Sequence, residues 1–184
     1  REMAEACVHR NTITCNAAVS CCEKGGVWEP SLQLLREMVE GSVERNTITY
    51  NAIVRACTHG LAWESVLQLF CEMAECRVDR DFITYGAVLG SCGKGGAWRQ
   101  AMRLLHEMAG IRVETDTIAF SATISACENG GVWEPALQLL CDMAAFLVER
   151  DTITFNATIS SCEKGGVWKP ALQLLREMSE VSVE

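Results

Sequence analysis

The chain has 184 residues, of which 49% are hydrophobic and 22% charged, and its formal net charge is −8 at pH 7. This charge has the wrong sign for a protein held to nucleic acid by bulk electrostatics, so any nucleic-acid binding must depend on local geometry. No apolar run approaches the roughly 18 residues needed to cross a bilayer, so we expect a soluble chain without membrane contact.

An internal repeat organises the sequence from its first residues onward. All five tryptophans are spaced 35 residues apart, at Trp28, Trp63, Trp98, Trp133 and Trp168. Six methionines, five cysteines and all three prolines keep the same spacing. A fixed period of this length is the signature of a stack of small structural units rather than of one closed core.

The period divides the chain into units. Residues 1–11 are the end of a preceding repeat; the complete repeats are 12–46, 47–81, 82–116 and 117–151; and residues 152–184 form an incomplete fifth repeat. Because both ends fall inside a repeat, we expect the sequence to be a fragment, and the lack of a transit peptide carries no information.

Each unit is predicted to hold two helices. In the first half of one unit Tyr50, Val54 and Cys57 have the i, i+4, i+7 spacing of one helical face. The second half of a unit has a similar apolar spacing, at Trp28, Leu32, Leu35 and Met38. Neither helix can bury its apolar face alone, so consecutive pairs must stack, and the tryptophans and methionines are predicted to lie in the core.

A glycine pair, Gly25-Gly26 in the first complete unit, is predicted to end the first helix, because glycine readily adopts a positive φ. Only Gly60 remains at this place in the second unit, before Leu61, and we expect the turn to survive. Pro30 falls in the first turn of the second helix, where its missing N–H has no cost.

The 11 cysteines are predicted to be reduced thiols that act as small core residues, and not disulfides or zinc ligands. Their number is odd, no Cys-x-x-Cys pair occurs, and five of them share one place in the repeat. No metal or cofactor is predicted.

Units such as the second, which runs from Thr47-Ile48-Thr49-Tyr50 to Val78-Asp79-Arg80-Asp81, closely resemble the pentatricopeptide repeat, and the resemblance covers the whole chain. It implies an all-α fold, a right-handed α-solenoid of tandem helix-turn-helix hairpins. The tetratricopeptide repeat fits poorly, since it would place the tryptophan early in the first helix rather than at the start of the second.

The family resemblance also implies which residues contact a single strand of RNA. The second residue of each unit would wedge between bases, and it is always isoleucine: Ile13, Ile48, Ile83, Ile118 and Ile153. A stacking role suits these residues, although a buried contact between repeats would favour isoleucine as well.

By the same resemblance, the fifth and the last residue of a unit together select the base. The fifth residues are Asn16, Asn51, Gly86, Ser121 and Asn156, and the last residues of the complete units are Asn46, Asp81, Asp116 and Asp151. The alternative for the last place is a helix cap, which Asn and Asp also suit and which Asn11 would provide for the first complete unit. Capping does not explain the variation at the fifth place.

Phosphate contacts are implied for Lys24, Lys94 and Lys164, which share one place near the end of the first helix. The alternative is that these lysines are solvated and locally paired. Acidic neighbours at Glu23, Glu128 and Glu163 would repel phosphate, and arginines in the turns between repeats could compensate, at Arg10, Arg45, Arg80 and Arg150.

The resemblance therefore implies sequence-selective binding of single-stranded RNA, one base per repeat, in processing, stabilisation or expression of organellar transcripts. The chloroplast is expected before the mitochondrion, and other RNA-processing proteins are possible partners. A protein-binding scaffold is the alternative, because the chain is acidic and concave solenoid surfaces often hold partner chains. No enzyme activity is expected, since the three histidines form no deaminase-type or two-metal pattern.

Overall fold

The computed structural model describes residues 11–111 and 115–181, except for the side chains of residues 180 and 181. Within these ranges the chain forms ten helices and no strand, which confirms an all-α helical-repeat fold. The helices are α1 (Thr12–Gly25), α2 (Glu29–Glu40), α3 (Thr47–His59), α4 (Trp63–Glu75), α5 (Phe82–Gly95), α6 (Trp98–Gly110), α7 (Thr117–Asn129), α8 (Trp133–Ala145), α9 (Thr152–Lys164) and α10 (Trp168–Val181). None of them is long and apolar enough to span a bilayer.

The odd-numbered helices each begin directly after an Asn or Asp that caps the helix. The Oδ1 of Asn46 accepts the backbone N–H of Thr49 at 3.1 Å, and that of Asp151 accepts the N–H of Thr154 at 2.8 Å. Each bond satisfies an N–H that has no partner within the helix, which is the usual reason for these residues at a helix start. The capping alternative for the last residue of a repeat is thus correct, and it uses only one of that residue's polar atoms.

The contacts divide the chain into two compact units, with the division between Val88 and Leu89 inside α5. In the first unit α1 packs on α3, and each of these helices packs on the helix that follows it, α2 or α4. In the second unit α7 packs on α9, and α8 lies against both. In each unit, therefore, helices of one repeat bury their apolar faces against the next repeat.

The predicted apolar faces are buried. Tyr50, Val54 and Cys57 are all inaccessible to solvent, and Leu35 and Met38 are buried on α2. The methionines at the corresponding places of α4, α6 and α8 are buried too. The tryptophans differ from the prediction, because four of them are only half-buried and Trp168 is 66% exposed.

Three of the tryptophans lie beside a glycine of the following repeat. A Cβ on Gly60 would stand 2.0 Å from Cδ1 of Trp28, and a Cβ on Gly165 would stand 2.3 Å from Cδ1 of Trp133. No real Cβ tolerates such distances, so the missing side chain admits the indole edge. Trp168 is more exposed because no later repeat in this sequence covers it.

The second residue of the glycine pair has a different task. Gly26 ends α1 in the left-handed conformation, with φ 66°, and its N–H donates to the carbonyls of Cys22 and Glu23. Leu61 takes the same place after α3 and holds φ 57°. The turn survives with one glycine, as predicted, but at the cost of a strained leucine.

Four cysteines at one place in the repeat, Cys57, Cys92, Cys127 and Cys162, are fully buried, while Cys22 at that place is half-buried. Burial raises the pKa of the Cys57 thiol to about 11. A thiol buried among apolar groups resists ionisation and is chemically inert, so these cysteines act as small core residues. The core prediction is wrong for the exposed cysteines, which are Cys21, Cys71, Cys76 and Cys141.

Candidate nucleic-acid interface

The five isoleucines at the second place of each unit all point to solvent. Their side chains are 55% to 77% exposed, although isoleucine is among the residues most often buried. They stand in the first turn of α1, α3, α5, α7 and α9. This exposure does not fit the alternative of a buried contact between repeats, and it leaves an apolar side chain free at every repeat.

Asn51 and Asp81, the fifth and last residues of one unit, are joined by a hydrogen bond between their side chains. Nδ2 of Asn51 donates to Oδ1 of Asp81 at 3.2 Å. The hydroxyl of Thr84 lies 2.7 Å from Oδ1 of Asn51 and 2.8 Å from Oδ1 of Asp81. Because Asp81 can only accept, these contacts fix the orientation of the Asn51 amide. The two residues predicted to read one base form one hydrogen-bonded group.

The bridging threonine is a site residue that the sequence analysis missed. Thr49 repeats the arrangement, since its hydroxyl lies 2.7 Å from Oδ1 of Asn16 and 3.0 Å from Oδ1 of Asn46. Threonine stands at this third place in four of the five units, and the exception is Ala119. That recurrence was visible in the sequence, but the partners of the hydroxyl were not.

The remaining predicted site residues are less connected. Asp151 caps α9 without a hydrogen bond to Ser121 in the described part of the chain, and Ser121 is half-buried. The side chain of Asp116 accepts the N–H of Ala119, at 2.9 Å. At Gly86 an added Cβ would meet no atom within 4 Å, so the space there is open. Asn156 is exposed.

Asp81 is held as a charged acceptor. Although partial burial opposes ionisation, hydrogen bonds from the amide and hydroxyl of Thr84 and from Asn51 lower the pKa of the Asp81 carboxyl. All three bonds end on Oδ1. The second oxygen, Oδ2, has no hydrogen-bond partner among residues 11–111 and 115–181, so it is available to an incoming donor.

The three lysines predicted to hold phosphate are exposed at the ends of α1, α5 and α9. Nζ of Lys164 lies 3.6 Å from Oε1 of Glu128, a carboxylate that also accepts from Ser160. Glu23 is bound by the guanidinium of Arg55, with its shorter contact at 2.8 Å. The local pairing considered for these lysines is therefore present at Lys164, and two of the acidic neighbours are themselves paired.

The arginines in the turns between repeats do not extend into solvent as free cations. Nη1 of Arg45 lies 3.2 Å from Oε1 of Glu72, and Arg150 pairs with Glu177. The guanidinium of Arg80 stacks 4.4 Å from the centre of the Phe70 ring. These contacts hold the described arginines within the fold, so the suggestion that they reach phosphates stays a prediction, and Arg10 lies outside the described residues.

Two family models match the sequence of this chain. The family model described as "PPR repeat" matches residues 13–43, 83–113 and 153–183, which make up half of the chain. The model described as "Pentatricopeptide repeat domain" matches residues 33–95. No curated protein matches the chain in sequence.

Solved structures of this family superpose on nearly the whole chain. The pentatricopeptide repeat protein PPR10 in complex with an 18-nucleotide psaJ RNA element matches with a TM-score of 0.80 and 25% identity, over 95% of this chain and 26% of that one. PPR10 from maize matches with a TM-score of 0.73 and 22% identity, over 97% and 26%. Nuclear proteinaceous RNase P 2 from A. thaliana matches with a TM-score of 0.79, over 92% and 38%, and its 13% identity shows the fold alone.

Proposed function

Because this chain belongs to the pentatricopeptide repeat family, we propose that it binds single-stranded RNA and that each repeat contacts one base. Its match to PPR10, a protein solved with an RNA element bound, supports this proposal. The chain spans about a quarter of that protein's length. The proposal therefore concerns what these repeats bind and leaves aside what a longer protein does with the RNA.

The observation that carries the proposal is the exposure of one isoleucine at the same place in every repeat. An apolar side chain in water has no folding benefit, so its repetition favours a ligand that covers it. The face of a nucleic-acid base is a flat apolar surface that pairs well with such a side chain. Of the residues that would read the base edge, Asn51 lies in the same helix as Ile48, about one turn further along, and Asp81 caps α5.

The polar groups of each repeat then select the base. Asn16 with Asn46 offers two amides, each donor and acceptor, and favours a pyrimidine. Asn51 with Asp81 adds a fixed acceptor, which suits the imino N–H of U. Ser121 with Asp151 leaves room for a purine and favours G; Gly86 with Asp116 favours G more weakly; and Asn156 leans toward a pyrimidine. With the amino terminus toward the RNA 5′ end, as the family implies, the site reads pyrimidine-U-G-G-pyrimidine.

The acidic net charge requires that phosphate contacts be local, and we assign them to Lys24, Lys94 and Lys164. The repeats act by holding the strand, with no chemical step of their own, and serve the processing, stabilisation or expression of a transcript. An organelle, the chloroplast before the mitochondrion, is the proposed compartment, and other RNA-processing proteins are the proposed partners. These assignments rest on the family resemblance.

A randomised-RNA selection on the purified 184-residue chain, sequenced after binding at moderate salt, tests the proposal. We expect enrichment of the pyrimidine-U-G-G-pyrimidine core with weak overall affinity, because four or five bases offer few contacts. The second candidate function, a protein-binding scaffold, draws on the net charge of −8. A pool without any enriched base would reject RNA reading and favour the scaffold.

A further inference from the structure

The arginine before the first helix of a repeat has a fixed set of partners within the fold. Nη1 of Arg45 contacts both Oε1 of Glu72, at 3.2 Å, and the hydroxyl of Tyr50, at 3.3 Å. Its carboxylate partner lies on the second helix of the repeat, and its aromatic partner lies on the first helix. The arginine thereby links the two helices of the pair.

The same arrangement recurs one and three repeats later. Arg150 pairs with Glu177, and its guanidinium lies 5.5 Å from the centre of the Phe155 ring. The guanidinium of Arg80 lies 4.4 Å from the ring centre of Phe70 and 5.8 Å from that of Tyr85. At Arg80 and Arg150 a cation therefore lies close to an aromatic ring, an attraction that strengthens when the site is partly dry.

One repeat lacks this cation. Residue 115 is a half-buried threonine where the repeats on either side have Arg80 and Arg150. A cavity of about 210 Å³ opens beside it, lined by Thr115, Leu105, Phe120 and Asp142 among others. A single water needs about 30 Å³, so the space exceeds what one or two waters fill.

Three residues that line this cavity stand at repeat positions whose side chains contact the guanidinium elsewhere. A shift of one repeat carries Phe70 and Tyr85, the rings under Arg80, onto Leu105 and Phe120. A shift of one repeat back carries Glu177, the partner of Arg150, onto Asp142. The cavity therefore keeps the aromatic ring and the carboxylate of a guanidinium site, while position 115 has a threonine in place of the arginine.

The polar atoms around the cavity are suited to a cation. Oδ1 of Asp142 accepts from Nε2 of Gln138 at 2.9 Å, and Oδ2 has no hydrogen-bond partner in the described part of the chain. Nδ1 of His106, on the cavity wall, lies 2.7 Å from the carbonyl oxygen of Met102 and donates to it, because a carbonyl oxygen can only accept. The carboxylate of Asp142 thus offers a free acceptor oxygen to a cation in the cavity.

We propose that this cavity receives the guanidinium of an arginine side chain from a partner protein, which takes the place that Arg80 and Arg150 fill in their own repeats. A protein source is favoured because the rim of the cavity is apolar: Phe146 lines it and is 69% exposed, and the next residue, Leu147, is 93% exposed. Arginine beside apolar residues is typical of the centre of a protein interface. The net charge of −8 adds attraction for a basic partner. The site does not depend on RNA binding.

The probes are three capped tripeptides, Leu-Arg-Leu, Leu-Lys-Leu and Gly-Arg-Gly, titrated at pH 7.5 into the isotopically labelled 184-residue chain and followed by NMR. We expect saturable shifts at Phe120 and Asp142 with Leu-Arg-Leu, at least fivefold weaker binding of Leu-Lys-Leu, and weaker binding of Gly-Arg-Gly. Equal affinity of the two arginine peptides would overturn the protein source, and equal affinity of the lysine peptide would overturn the guanidinium site.

Three variants locate the site. Thr115→Arg supplies the missing side chain, so it should raise the melting temperature and weaken Leu-Arg-Leu binding at least tenfold. Asp142→Asn keeps the shape of the cavity and should weaken binding several-fold with unchanged circular dichroism. Arg150→Thr vacates the next guanidinium position and should add a second site of similar affinity. Undiminished binding to a folded Thr115→Arg chain would overturn the proposal.

Discussion

At the scale of single residues, the turn after α3 shows a local conflict between sequence and backbone. Leu61 holds φ 57°, whereas Gly26, Gly96, Gly131 and Gly166 occupy the corresponding turns. A left-handed conformation costs a leucine about 1–2 kcal/mol. Its side chain is 65% exposed and contributes little burial in return.

Leu61→Gly should therefore stabilise the chain. The relieved strain exceeds the ~0.5–1 kcal/mol of extra chain entropy that glycine brings to the unfolded state, so we expect a net gain of about 0.5–1 kcal/mol. Urea melts monitored by circular dichroism measure it. Gly131→Ala is the matched control, because an added Cβ meets no atom within 4 Å there and the strain alone should lower stability.

Asp81 gives a pH dependence whose sign follows from its hydrogen bonds. Because its pKa is lowered in the folded chain, its contribution to stability is complete above the unfolded value of about 3.9 and is lost as pH falls through the folded pKa. Thr84→Val removes one of the bonds and should raise the pKa of Asp81. A carbon-detected NMR titration of that carboxyl measures both midpoints.

Thr84→Ser keeps the hydroxyl and should leave the midpoint of Asp81 near the wild-type value. A Thr84→Val titration that coincides with the wild type would show that the hydroxyl donates only to Oδ1 of Asn51, which it approaches at 2.7 Å.

Ser121 offers the sharpest test of base selection. By the proposed register it selects G with Asp151, and Ser121→Asn would reproduce the Asn51 and Asp81 combination that selects U. We expect the preference at the fourth base to shift from G toward U by about 1–3 kcal/mol. Binding to a matched pair of RNAs that differ only at that base measures the shift, and an unchanged preference would refute the assignment for this chain.

At the scale of helices, the contact between a tryptophan and the glycine of the next repeat transmits stability from unit to unit. A Cβ on Gly130 would stand 2.7 Å from Cδ1 of Trp98. Trp98→Ala would leave a gap at this contact between two packed repeats, whereas Trp168→Ala would remove a side chain that is already 66% exposed.

Trp98→Ala should cost about 3 kcal/mol, at the low end for large aromatic truncations because the ring is only half-buried. Trp168→Ala should cost clearly less. Urea melts of the two variants measure the difference. Equal destabilisation would contradict a structure in which each repeat is stabilised mainly by its neighbours.

The sequence predicted the helices well, because a 35-residue period with apolar residues at helical spacing leaves little freedom, as the buried set of Tyr50, Val54 and Cys57 shows. It also predicted the polar residues that begin each first helix. It did not reveal that Gly60 makes room for the Trp28 ring, because nothing in the sequence shows which ring packs against a residue without a side chain. Nor did it show that Thr84 joins Asn51 to Asp81, because such a contact crosses 30 or more residues.

At the scale of the whole molecule, the proposed RNA ligand would have to bind a chain with an excess of acidic residues. The net charge of −8 disfavours nonspecific binding, so the few lysines at the ends of first helices should dominate the salt dependence. Pairing of Glu23 with Arg55 and of Glu128 with Lys164 reduces the local repulsion.

Lys94→Ala should weaken binding to all RNA sequences alike and lower the slope of log affinity against log salt by about one ion. Base preference should not change. Lys169→Ala is the control, since Lys169 lies on a second helix with its ammonium 5.7 Å from the ring centre of Trp168. If Lys94→Ala leaves the slope unchanged, Lys94 is a solvated surface residue and not a phosphate contact.

The contact between Trp28 and Gly60 also affects how the chain folds during its synthesis. Described side-chain hydrogen bonds between helices join residues 22 to 36 positions apart, so the entropy lost in closing each loop does not grow along the chain. Such low contact order favours rapid folding. As a repeat leaves the ribosome, it can cover the indole of the preceding repeat once its own turn glycine has emerged. The growing chain then exposes one uncovered tryptophan at a time.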